Sequence, residues 1–255
     1  MPRFVVRSVQ RVHFVLASLA GGFSFFAISL AGMLALLLFR KHARKLPVLF
    51  ARSFSWVMRT MLGWRISTEG LSIFRDAAPA ILVGNHQSNL DIVVYGTIFP
   101  PGAVAIGKKE LAKIPLFGWF FAGTGNILVD RQNRESAFRT IRTAAERIQK
   151  EKLSVWMFPE GHRNQKAELL PFKKGAFHLA IAAQVPVVVV VSEPIGTVLR
   201  AKRLLVRPGT IRIRVLPPIP TEGMTEKEVD ELIEKVRAAM QSTRDDLAAT
   251  AREPV

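Results

Sequence analysis

The pattern of apolar and polar positions divides the chain in two. From Phe14 to Phe39 no charged residue occurs. That run is about 26 residues, against the roughly 20 a helix needs to cross a bilayer. A second apolar stretch, Leu46 to Trp64, carries Phe50, Phe54, Trp56 and Trp64 and is broken by Arg52 and Arg59. It reads as an amphipathic helix with its aromatics at a membrane interface. The two stretches predict an N-terminal hydrophobic two-helix membrane-binding segment over 1–65, followed by a second unit over 66–255. A cleaved signal peptide fits the first stretch poorly, because the run is too long and lacks a small-residue cleavage site. The expectation is a membrane helix, spanning or re-entrant, with a buried core helix as the alternative.

After Gly70 the periodicity shortens. Ala80–Val83, Asn126–Val129 and Val155–Phe158 are short apolar runs, and Pro186–Val191 is a β-branched block suited to a strand buried on both faces. Ile211-Arg212-Ile213-Arg214-Val215 alternates as a half-exposed strand does. Between them Ala137, Ile141, Ala144, Ala145 and Ile148 recur at helical spacing, predicting an amphipathic helix over Arg134–Lys152. Thr225–Ala249 reads as a closing helix, opened by the capping-box pattern Thr225-Glu226-Lys227-Glu228. This order predicts an α/β fold, a mostly parallel central sheet flanked by helices.

Composition sharpens the picture. The chain has 255 residues, enough to bury a sizeable core, and 49% of them are hydrophobic. A net charge of +16 implies an anionic partner: nucleic acid, an acidic membrane surface or an anionic substrate. Much of that excess flanks the apolar N-terminus, as Arg3, Arg7 and Arg11 before it and Arg40, Lys41, Arg44 and Lys45 after it. No helix-turn-helix, zinc or RNP-type signature accompanies it, so the expected partner is the lipid bilayer and not nucleic acid. If the first stretch spans once, the larger downstream cluster favours the cytosolic side of the cytoplasmic (inner) membrane for the second unit. With no cysteine there is no thiol nucleophile, disulfide or cysteine metal site.

Three of the expected strands run into polar residues: the first into Asn85, His86 and Asp91, the second into Asp130 and Arg131, the third into Glu160, Gly161, His162 and Arg163. If those strands are parallel, all three clusters share the rim where open sheets bind ligands. A separation of five prevents His86 and Asp91 from sharing one helical face. They meet if His86 lies on the turn leaving the strand and Asp91 in the first turn of the next helix. The carboxylate then fixes the imidazole tautomer and leaves the other nitrogen to take a proton from a hydroxyl. No Gly-x-Ser-x-Gly elbow suggests a protein nucleophile. The alternative is structural: Ser88-Asn89-Leu90-Asp91 is itself a capping-box pattern, so Asp91 serves helix amides. A hydrolytic metal site from His86, Asp91, Glu160 and His162 matches on ligand types, but the spacing fits no standard metal motif.

The run Asn85-His86-Gln87-Ser88-Asn89-Leu90-Asp91 resembles the first signature block of the glycerolipid acyltransferases. Gly125–Arg131 resembles their second block, Phe158-Pro159-Glu160-Gly161-His162-Arg163-Asn164 their third, and Val185-Pro186-Val187 their fourth. Lys108–Leu111, Ile114–Trp119 and Leu170–Phe177 are similar to the connecting sequence. The likeness covers roughly Ala80–Pro218, keeps the order of the blocks, and is nearest to the bacterial lysophosphatidate-acylating members. It implies transfer of a fatty acyl group from acyl-CoA or acyl carrier protein to the sn-2 hydroxyl of 1-acyl-sn-glycerol-3-phosphate, giving phosphatidic acid, with no metal and no cofactor. His86 is then the general base and Asp91 its orienting partner. Arg131 helps bind the acceptor's phosphate, for which a fork of fixed donors is suited. Arg163 and Lys108 are further phosphate candidates. Glu160 contacts the glycerol portion or organises the site, and Gly161 allows close backbone approach. His162-Arg163-Asn164 departs from the family's usual threonine-arginine-serine. That departure keeps open a different acceptor, another lysophospholipid or a lyso-ornithine lipid.

Overall fold

The computed structural model describes residues 3–250. Two helices open it, α1 (Arg3–Leu38) and α2 (Leu46–Leu62), and the basic cluster Arg40–Lys45 forms a 3-10 connector between them. Then follow β1 (Trp64–Glu69), α3 (Ile73–Asp76), β2 (Ile81–Gly84), α4 (Asp91–Gly96), β3 (Ala103–Lys108), α5 (Phe117–Gly123), β4 (Ile127–Val129) and α6 (Arg134–Glu151). The remainder is β5 (Ser154–Met157), α7 (Gly175–Ala183), β6 (Val187–Ser192), β7 (Leu199–Arg200), β8 (Leu205–Val206), β9 (Gly209–Val215) and α8 (Val229–Thr250).

The segment Arg7–Leu38 of α1 is long and apolar enough to cross a membrane by length and composition, yet only 11% of its most apolar window is buried. Leu19, Phe23, Leu37 and Leu38 stand mostly exposed along it. A soluble core helix buries such side chains, so the exposure of α1 speaks against that alternative. α2 corrects its expectation. Of its four marked aromatics only Trp56 is exposed; Phe50 and Phe54 are buried, and Trp64 has left the helix altogether. The helix stops at Leu62 because Gly63 takes a left-handed conformation (φ +68°), which a glycine adopts without penalty. Trp64 then opens β1, buried, with its ring N–H donating to the Arg207 carbonyl at 3.0 Å.

Seven strands form one sheet in the order β1-β9-β6-β2-β5-β3-β4. β6, β2, β5, β3 and β4 run parallel, while β9 pairs antiparallel with β6 and parallel with β1. The sheet is therefore mostly parallel, as expected, with a reversed pair at one edge. Alternate residues feed two cores. Ile81, Val83, Val187, Val189 and Val191 face α6, α7 and α8, whereas Leu82, Val188 and Val190 face α1, α2 and α4. Both faces are covered, which explains the unbroken valine block of β6; each such burial is worth about 1.5–3 kcal/mol. α8 keeps its sequence-visible start: the Thr225 side chain and Glu228 form the expected capping box.

One topological feature positions the site. The chain leaves β2 into α4 on the face covered by α1 and α2, and leaves β5 into α7 on the opposite face. β2 and β5 are hydrogen-bonded neighbours. Between their carboxyl ends the connections diverge, opening the crevice in which such sheets bind ligands.

Candidate active site

The segment after β2 is clamped on both sides. Asn85 is buried; its side-chain oxygen accepts from the Ser192 N–H (2.9 Å) and the Tyr95 hydroxyl (2.7 Å), and its amide donates to the Ser192 carbonyl at 3.1 Å. Gln87 donates to the Glu193 carbonyl (2.9 Å) and accepts from the Ile195 N–H (3.1 Å). Residues 85 and 87 thus reach toward the end of β6, and His86 between them is presented toward β5. Its N–H donates to Glu160 Oε1 at 2.9 Å and its carbonyl accepts from the Asn164 N–H at 2.7 Å. The imidazole stacks on Phe158, with centroids 4.3 Å apart and planes within 14°.

Asp91 opens α4, where the five-residue spacing required it. Its Oδ2 lies 2.7 Å from His86 Nδ1 and also accepts from the backbone N–H groups of Gln87 (2.6 Å) and Ser88 (3.0 Å). This arrangement is compatible with both the catalytic and the structural reading of the residue. A single oxygen orders the turn and orients the ring. A carboxylate at Nδ1 favours the tautomer that carries its proton on that nitrogen. The His86 side chain is 23% exposed and that of Asp91 only 3%, so the ring meets the crevice while its partner is shielded from water.

Glu160 is buried, and both of its oxygens accept from the protein: Oε1 from His86 N–H, Oε2 from the Leu170 N–H (3.0 Å) and the Asn164 amide (3.4 Å). Of its two expected uses, organising the site is the one this geometry favours. Gly161 sits at φ +70°, a left-handed turn that a side chain would strain, and a Cβ there would press on Lys173 at 3.2 Å. Its carbonyl accepts from Arg131 at 2.9 Å. Arg163 donates to the side-chain oxygen of Asn89. The exposed arginines thus lace the loops after β4, β5 and β2 into one rim. Lys108, the exposed last residue of β3, joins them through strand register alone, opposite Val129. His162 is exposed beside them. Lys109 pairs with Asp130 at 2.6 Å, which together with the Gln132 N–H holds that carboxyl below the usual range. Exposed as it is, this pair adds little to stability.

Both Glu160 oxygens and Asp91 Oδ2 accept from N–H donors, and no group of three or more His, Asp or Glu placed to hold a metal occurs among the described residues. Sequence reasoning had assigned no role to Asn85, Gln87, Tyr95, Phe158 or Asn164. Tyr95, the chain's one tyrosine, is fully buried, and burial followed by the Asp91 charge pushes its hydroxyl well above the usual value. It therefore stays an O–H donor to Asn85, behind the histidine. The signal available was its position one helical turn past Asp91, facing back toward the same strand end.

A histidine–carboxylate pair sits at the switch point of a mostly parallel sheet, beside a long helix with exposed apolar side chains. The chain belongs to the acyltransferase family: the family model described as Acyltransferase matches residues 65–193. It is similar to the 1-acyl-sn-glycerol-3-phosphate acyltransferase of Saccharomyces cerevisiae, 38% identical over 93% of this chain and 78% of the relative. It is likewise similar to the same-named protein of Salmonella typhimurium, 36% identical over 79% of each, and to that of Escherichia coli, 41% identical over 64% of this chain and 65% of the relative. Among solved structures it matches the 1-acyl-sn-glycerophosphate acyltransferase of Thermotoga maritima, with a TM-score of 0.71, 24% identity, and coverage of 99% of this chain and all of that one. That likeness supports the fold.

Proposed function

We propose that the chain moves a fatty acyl group from a thioester donor, acyl-CoA or acyl carrier protein, to the sn-2 hydroxyl of 1-acyl-sn-glycerol-3-phosphate, giving phosphatidic acid. The observation that carries this reading is the 2.7 Å contact of His86 Nδ1 with Asp91, at the head of a crevice rimmed by Arg131 and Arg163. Nε2 takes the hydroxyl proton as the acceptor oxygen attacks the thioester carbonyl. The carbon–sulfur bond breaks, and the imidazolium returns the proton to the leaving thiolate. The products are an ester and a free thiol. Asp91 stabilises the transient imidazolium, and the guanidiniums hold the acceptor's phosphate. No metal or redox group enters these steps. The named relatives supply the acceptor, and the exposed apolar α1 supplies the surface where such a lipid resides. The basic connector Arg40–Lys45 suits the anionic cytosolic face of the cytoplasmic membrane.

The test is a panel of acceptors offered to the purified protein with one labelled donor, products read by mass spectrometry. Lysophosphatidate is expected to be the preferred acceptor. Arg131→Ala is expected to raise its KM roughly tenfold with kcat little changed, the loss of one charge-assisted contact made equally in ground and transition states. Preference for a phosphate-free lyso-ornithine lipid, the reading that His162 keeps open, with Arg131→Ala silent, would reject the phosphate assignment.

A further inference from the structure

We infer that Arg244, in the C-terminal half of α8, is a positioning residue for the active site: a buried cation that balances the Glu160 carboxylate and so keeps it on the backbone of His86. This rests on the role of His86 proposed above and adds what holds that residue in place. The holding comes from outside the signature blocks, since α8 lies beyond residues 65–193, which the family model matches.

Val236, Met240 and Leu247 of α8 are buried in the core beneath the sheet. Arg237, Gln241 and Arg244, spaced by four and three, form a polar stripe beside them, and all three reach the loop after β5. Arg237 donates to the Leu169 carbonyl at 3.2 Å. Gln241 donates to the Ala167 carbonyl (3.2 Å) and accepts from the Leu169 N–H (3.0 Å). Arg244 donates to the carbonyls of Lys166 and Ala167. The same loop supplies Glu160 Oε2 with its donors, the Leu170 N–H and the Asn164 amide, while Oε1 accepts from the His86 N–H. From α8 to the imidazole there are thus only two intermediates, the loop and Glu160.

Two observations give Arg244 a task beyond capping carbonyls. The first is redundancy. Gln241 already serves the Ala167 carbonyl, and Arg244 Nε has no acceptor among the described residues. A neutral donor would cap the loop at a smaller desolvation cost than a buried guanidinium. The second is the inventory of buried charge. Arg244, Glu160 and Asp91 are each 2% exposed, and Arg244 is the one fully buried cation among the described residues. Glu193, the other buried carboxylate, has its own partner in Arg212 at 2.9 Å. Burial pulls the Arg244 guanidinium below its ordinary value, and the charge that opposes this most is that of Glu160. Without the cation, Glu160 is a buried carboxylate with no countercharge, which relaxes toward water and releases the His86 N–H.

The experiment compares Arg244→Lys with Arg244→Gln in the purified full chain. Each keeps a donor for one loop carbonyl, and only lysine keeps the charge. Rates are measured with lysophosphatidate and one acyl donor, well below each protein's thermal midpoint. Arg244→Lys is expected to hold kcat within about threefold of wild type, since it keeps the charge and loses only the fork. Arg244→Gln is expected to lower kcat about tenfold or more while the acceptor KM changes less than about threefold, as befits a group that orients the base. The double variant Glu160→Gln/Arg244→Gln removes both charges. Its kcat is expected to be no lower than that of Glu160→Gln alone, because residues that act through one another are not additive. Thermal midpoints of the same proteins read the coupling without any turnover, and the double variant is expected to melt above the sum of the single losses. Equal kcat in the lysine and glutamine variants, or losses that multiply in the double variant, would overturn the assignment. If Arg244→Gln does not fold, a folded double variant supports the coupling and an unfolded one overturns it. A wild type that transfers no acyl group would instead reject the proposed function, and the midpoints would still decide on Arg244.

Discussion

Replacing His86 with alanine is expected to lower turnover by roughly 10²–10⁴-fold, the usual loss when a general base is removed, while leaving the protein folded and membrane-associated. The expectation follows from how the residue is held. The backbone of residue 86 carries its own restraints, the N–H to Glu160 at 2.9 Å and the carbonyl from the Asn164 N–H at 2.7 Å, and neither depends on the ring. Alanine keeps both. What disappears is the imidazole, stacked on Phe158 and held by Asp91, the group proposed to accept the hydroxyl proton. The exposed apolar side chains of α1 lie well away from this turn in sequence and the substitution does not touch them, so liposome binding is expected to persist. The measurement is initial rate with purified protein at saturating donor and acceptor, next to a thermal-unfolding curve and a liposome flotation. Near wild-type rate in a clean preparation would remove the dyad from the mechanism.

Much of this site was legible before any coordinates, and the reason is local. His86 and Asp91 are five residues apart, so a strand end, a turn and a helix start suffice to bring them together. Helix periodicity likewise recovered α6, and capping chemistry recovered the start of α8. What stayed hidden depends on long-range pairing. Trp64 reads as the end of the second helix because it continues the aromatic spacing of α2; its strand state comes from residue-by-residue pairing of β1 with Gly209–Arg214 far along the chain. β3 is not among the expected strands, and only its last residue, Lys108, falls in the connecting sequence of the resemblance; Ala103-Val104-Ala105-Ile106-Gly107-Lys108 owes its extension to β4 and β5 on either side. The clamps on Asn85 and Gln87 reach partners more than one hundred residues away, at the end of β6. Glu160 shows the same limit from the other direction. The resemblance left two uses open, contacting the glycerol portion or organising the site, and the hydrogen bonds that favour the second come from His86 and Leu170, which no spacing rule connects.

The second large effect is expected at Asp91, and here the asparagine and alanine variants are expected to part company. One oxygen, Oδ2, accepts from His86 Nδ1, from the Gln87 N–H and from the Ser88 N–H. In Asp91→Asn an amide nitrogen at that position would face two backbone donors, so the side chain must place its oxygen there. The turn is kept and the ring keeps its proton on Nδ1. Only the negative charge is lost, and with it the extra strength of a charge-assisted bond, about 1.5–3 kcal/mol, or roughly 10- to 160-fold in kcat. Asp91→Ala removes the acceptor as well. The buried Gln87 and Ser88 are left with unsatisfied N–H groups at a cost of about 1–3 kcal/mol each, and the imidazole is free to turn. That variant is expected to lose both stability and nearly all turnover, approaching His86→Ala. Kinetics and thermal midpoints of the two proteins side by side distinguish the roles. If asparagine were as damaging as alanine, with an equally lowered midpoint, the carboxylate's charge would be holding the fold. If asparagine cost the full activity with an unchanged midpoint, the amide would have turned its nitrogen to the ring, and the backbone donors would not govern the orientation. The intermediate result, a stable protein with a partial loss, is the one that a shared oxygen requires.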